Sequence, residues 1–124
     1  MTASVVRLGR PVVYSVLFEV VGSPTLQGDR YWTGCCLEYG FLSFALGLES
    51  VLETMRDDIA SAAQARRPMK DPQESIWWSD FTKAWEAETR PDTIVVGKVH
   101  AHMYPNHTVV FGMTHLRGMT ADAL

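Results

Sequence analysis

Residues 11–21 read PVVYSVLFEVV, and this run decides the fold class. Val12, Val13, Tyr14, Val16, Phe18 and Val20 are β-branched or aromatic, the side chains that fit a pleated, packed surface. A strand with one solvated face alternates apolar and polar residues. Here both faces are largely apolar, so the strand belongs at the centre of a sheet or is covered from both sides.

The neighbouring segments supply the rest of the sheet. Residues 22–29 carry Gly, Ser, Pro and Asp, a loop composition. Arg30–Leu37 reads as a second strand, antiparallel to the first. The period then changes. Phe44, Leu48, Val51, Leu52, Met55, Ile59 and Ala62 recur at helical spacing, with Glu49, Glu53, Arg56 and Asp57 on the opposite side. This predicts a helix over about Ser43–Ala65, stopped by Arg66, Arg67 and Pro68.

A second helix is expected to start at Asp71, which can cap. Pro72 suits the first helical position, and Glu74 completes a capping box. Its stripe is Trp77, Trp78, Phe81, Ala84 and Trp85. Ile76 points off the stripe, and Arg90-Pro91-Asp92 ends the helix. Thr93–Met103 and Thr108–Thr114 then form a hairpin. A three-residue loop at 105–107 pairs Met103 with Val109, Ala101 with Phe111 and Val99 with Met113, which turns all six towards the core. The expected fold is α+β: an antiparallel sheet, elements in the order β-β-α-α-β-β, with both helices on one face. Residues 1–124 form a single domain with a loosely anchored tail from about 118.

Composition narrows the function classes. Of 124 residues, 47% are apolar and 20% charged, enough for a packed core without disulfides. The net charge of -3 lacks the basic excess of a nucleic-acid binder, and Arg66, Arg67 and Lys70 read as a solvated helix end. No run approaches the ~18 apolar residues of a membrane span. Arg7 and Arg10 precede an apolar run, but Glu19 interrupts it and no small-residue cleavage site follows, so a cytoplasmic protein is expected. The Asn106-His107-Thr108 sequon then carries no meaning for glycosylation. Cys35 and Cys36 are adjacent, a spacing that suits buried reduced thiols better than a disulfide.

No phosphate-cradling or nucleophile-elbow motif is present, and the sequence assigns no catalysis. The unusual feature is histidine placement: His100, His102, His107 and His115 all lie in the hairpin region. In the preferred register His100 and His102 share the outer face, two residues apart. Glu19, Glu38 or Cys36 would have to supply a third ligand for a metal, so no metal and no cofactor are expected. His100, His102, Trp77 and Tyr104 are the candidate ligand-binding or interface residues. Two readings follow from the surplus of apolar sheet surface. One is a binding module that acts through a protein partner or a homodimer on the sheet face. The other is a small ligand-binding protein or enzyme, metal-dependent or not, whose curved sheet encloses a small-molecule pocket lined by His100 and His102.

Overall fold

The structure is a computed structural model that describes residues 11–22, 28–103 and 109–118. Among these residues the chain forms five strands, two α-helices and one 3-10 turn. In chain order they are β1 (Val12–Val21), β2 (Tyr31–Cys36), β3 (Phe41–Leu46), α1 (Leu48–Gln64), the turn Pro72–Glu74, α2 (Trp78–Glu86), β4 (Ile94–Met103) and β5 (Val109–Arg117). The strands form one antiparallel sheet in the order β3-β2-β1-β4-β5. The α+β class is as the sequence implies, and the doubly apolar β1 is the central strand.

Three details of the fold differ from the sequence reading. The first is β3. Helical spacing places Phe44 four residues before Leu48 on the first helix, but Phe41–Leu46 is a strand. The segment is apolar at every second position and at most of the others, so helical and strand periods both fit it. Gly47 decides the matter. Its φ of 87° is a left-handed value that ends the strand, and α1 starts at Leu48. The second is the beginning of α2. Asp71 does cap, accepting from the Gln73 N–H at 2.9 Å, but only a single 3-10 turn follows. Ser75 is extended, and its hydroxyl accepts from Trp77 N–H at 3.1 Å where the chain turns into α2.

The third difference is the largest: the helices lie on opposite faces of the sheet. Val16 and Phe18 of β1 pack with Val51, Met55 and Ile59 of α1, whereas Leu17 packs with Phe81 of α2. Successive strand residues point to opposite faces, so a central strand apolar on both sides needs cover on both. The chain changes sides between the helices. At the end of α1, Arg66 adopts φ 55° while Arg66 N–H and Arg67 N–H donate to the Ala63 and Ala62 carbonyls, a Schellman stop. Lys70 N–H then donates to the Glu38 carbonyl at 2.8 Å, which ties the crossing segment to the turn between β2 and β3.

The main core lies under α1. Tyr14, Val16, Phe18, Val51, Met55, Ile59, Val95, Val99 and Ala101 are each at most 1% exposed. Full burial of such a side chain contributes about 1.5–3 kcal/mol. Gly34 permits the close approach of α1: a Cβ there would stand 2.9 Å from Met55 Cε and from the Phe18 ring. The hairpin register is as expected at Met103↔Val109 and Ala101↔Phe111, but it shifts between Lys98 and His100, so Val99 is not paired with Met113. The expected loop and the tail beyond residue 118 lie outside the described residues.

Candidate functional site

The dimensions of α2 create the candidate surface. A helix is roughly 10–12 Å across with its side chains, and strands lie about 4.8 Å apart. One helix therefore covers about two strands of a five-stranded sheet. Phe81, 2% exposed, anchors α2 over Leu17 of β1 and Val96 of β4, with Trp78 and Trp85 stacked on either side of it at 5.9 and 6.0 Å. The two flanks of this face, β2–β3 on one side and β5 on the other, are left outside the helix.

The β2–β3 flank is apolar. The strand register sets Val21, Tyr31 and Leu46 in one row across β1, β2 and β3. Phe44 lies opposite Thr33 in the next row, and Leu42 opposite Cys35 in the one after. Val21, Tyr31, Leu42, Phe44 and Leu46 are 43, 41, 58, 55 and 38% exposed. The Tyr31 and Phe44 rings stack at 5.0 Å. Monomeric soluble proteins seldom leave a contiguous apolar patch of this kind without a use for it. The patch also borders β3, which is an edge strand among the described residues and carries neither charge nor proline.

A cavity of about 420 Å³ lies beneath α2, lined in part by Val13, Ser15, Glu38, Trp78, Trp85 and Lys98. Glu38 is only 4% exposed. β1 pairs with β2 from Val16 onwards, so Ser15 lies just past the ladder. Its carbonyl accepts from Leu37 N–H at 3.0 Å, and its own N–H donates to Glu38 Oε1 at 2.7 Å. The carboxyl thus continues the strand pairing where the backbone turns away. Burial pushes the Glu38 carboxyl above the ordinary glutamate range, and hydrogen bonds from Ser15 and Cys36 partly counter this. On the other side of α2, Glu19 is also raised, by burial and then by the nearby Asp80. Lys98 Nζ sits over the Trp85 ring, 4.6 Å from its centre, and the Arg117 guanidinium lies 3.7 Å from the same ring.

The residues singled out from the sequence fall in different places. His100 and His102 share the α2 face of β4, but neither is in the wall of the cavity beneath α2. Both are half-buried, and His102 Nδ1 is buried without a hydrogen-bond partner among the described residues. The ring that approaches His100 is that of His115, 4.9 Å away. Among the described residues no three histidine, cysteine, aspartate or glutamate side chains are placed to hold a metal ion together. Trp77 is half-buried and packs against the smaller core. Tyr104 lies outside the described residues. Cys35 and Cys36 are buried and unbridged, and burial pushes both thiols up to about 12, so neither is a ready nucleophile.

Sequence reasoning missed Leu42, Phe44 and Leu46 as a surface because it placed Phe44 on a buried helix face. Gly47, directly before Leu48, was the available signal that a strand ends there and the helix starts after it. Among the described residues no helix is long and apolar enough to cross a membrane. No protein-family model matches the chain, and no curated protein or solved structure shows significant similarity to it.

Proposed function

We propose that the chain is a binding module whose working surface is the β2–β3 flank, and that its partner there is a second copy of itself. The contiguous exposed patch of Val21, Tyr31, Leu42, Phe44 and Leu46 carries this reading. None of these five side chains is charged. Two copies related by a two-fold axis can therefore bring their patches together without juxtaposing like charges, although each chain carries a net charge of -3. Five partly exposed side chains fall well short of the ~800 Å² per partner of a standard stable interface. The dimer is accordingly weak and concentration-dependent.

Sedimentation velocity across a dilution series tests the proposal. The wild type is expected to shift from the 13.9 kDa monomer towards twice that mass as concentration rises. Leu42→Glu and Phe44→Glu should abolish the shift while leaving the far-UV spectrum intact, because both side chains are more than half exposed. A wild type that stays monomeric at about 0.5 mM, roughly five-hundredfold above a micromolar dissociation constant, refutes the homodimer.

A second reading draws on Glu38. A buried carboxyl with a raised pKa in the wall of an aromatic-sided cavity is the arrangement in which small ligands are commonly held. Under this reading Trp78 and Trp85 report binding through their fluorescence.

A further inference from the structure

The other flank of the α2 face carries the histidines, and their arrangement depends on an irregularity in the sheet. His100 pairs with Gly112, and Lys98 pairs with His115. β4 therefore advances by two residues while β5 advances by three. In an unbroken ladder the residue opposite Lys98 would be Thr114, and His115 would point to the α1 face. The bulge adds one residue to β5 and delivers His115 to the same face as His100. Bulges commonly re-aim a side chain in this way next to functional sites.

The two rings end 4.9 Å apart between centres, inclined at 59°. A metal–imidazole bond is about 2.0–2.1 Å long, which puts the metal about 3.2 Å from the centre of each ring. Two imidazoles sharing one ion then have centres about 5.2 Å apart at a tetrahedral angle and about 4.5 Å apart at a right angle. The observed separation lies between these values. Lys98, the adjacent cation on this face, has its ammonium group over the Trp85 ring. His115 is exposed, so the site opens to solvent.

We propose that His100 and His115 form a two-histidine site for a divalent transition-metal ion across the β4–β5 bulge, with the remaining coordination positions open to water or to an outside donor. Two neutral imidazoles suit copper, nickel and zinc and not magnesium or calcium, and affinity should fall in the order copper, nickel, zinc. The proposal is independent of the β2–β3 patch, which lies on the opposite flank.

Calorimetric titration of the full chain with copper(II) or nickel(II), in a buffer that does not bind metal, tests the site. One ion per chain is expected. His100→Ala and His115→Ala should each weaken binding at least tenfold, and His102→Ala less than twofold. His115→Gln, which keeps a polar side chain at an exposed position, should behave as His115→Ala does and separates loss of a ligand from loss of fold. The copper(II) complex should show electron-paramagnetic coupling to two imidazole nitrogens. The site is refuted by the absence of saturable binding up to about 1 mM metal, a limit of about -4 kcal/mol in binding free energy. It is equally refuted if His102→Ala weakens binding as much as His115→Ala, or if the coupling shows only one nitrogen.

Discussion

Two helices on opposite faces of one sheet make a quantitative demand that two helices on one face do not. Ile59 of α1 is fully buried and Phe81 of α2 is 2% exposed, but they belong to separate clusters with β1 between them. Ile59→Val removes one methylene from the main core and should cost about 0.5–1.5 kcal/mol. Phe81→Leu keeps most of the apolar volume under α2 and should cost about 1 kcal/mol, the usual difference between truncating phenylalanine and leucine. Both changes are mild, so the double variant retains most of the stability of about 5–15 kcal/mol usual for a domain. Residues without shared partners contribute additively to within about 0.3–0.5 kcal/mol, whereas residues in contact couple by 0.5–3 kcal/mol.

The double-mutant cycle should therefore close with a coupling below about 0.5 kcal/mol. Urea denaturation of the four proteins measures it. Tryptophan fluorescence reports both sides, through Trp77, Trp78 and Trp85 beside α2 and Trp32 in the main core, and far-UV circular dichroism reports the whole fold. Coincident transitions by the two probes establish that unfolding is two-state, which the cycle requires. A coupling above about 1 kcal/mol with coincident transitions would refute the two-sided arrangement, since it requires the helices to share contacts.

Glu38 gives a pH signature. Its carboxyl is raised in the folded chain, so the folded state holds a proton that the unfolded state releases. Its contribution is most favourable below the unfolded glutamate value and is lost as pH rises from there through the raised folded value. Glu38→Gln should flatten this fall in stability, read from urea midpoints between pH 4 and 8, and an unchanged slope would show that Glu38 is not the buried acid. The thiols give a kinetic signature. With both pushed up to about 12 and both buried, Cys35 and Cys36 should react with iodoacetamide at pH 8 only after denaturation. Rapid labelling of the native chain would contradict their burial.

The sequence conveys some levels of this structure and hides others for physical reasons. The central place of β1 was legible because its apolar residues fall on both faces, and that pattern has few other solutions. Ile76 is 86% exposed as expected, but it precedes α2, so the helical stripe that placed it outward is not what exposes it. β3 was hidden because Phe41–Leu46 satisfies two periods at once, and only the backbone angle at Gly47 separates them. The same ambiguity concealed the main candidate surface. A residue placed on a buried helix face cannot also be read as an exposed strand residue, so placing Phe44 on the helix hid the strand to which Leu42 and Leu46 also belong.

The histidines show a limit of another kind. Strand parity correctly put His100 and His102 on one face, but parity holds only while the ladder is regular. One extra residue in β5 reverses it for everything that follows, and the hint in the sequence is the isolated strand glycine Gly112 at the edge of the bulge. His115 thus reaches His100 through a backbone event, not through its spacing in the sequence. The same logic explains the placement of the helices. Counting apolar residues on β1 shows that both faces need cover, but the side taken by each helix depends on how residues 65–77 pass the β2–β3 turn. That passage includes a hydrogen bond between two backbone groups, Lys70 N–H and the Glu38 carbonyl, which any pair of non-proline residues can form. Where backbone groups decide the route, side-chain patterning carries the requirement and the chain geometry selects the solution.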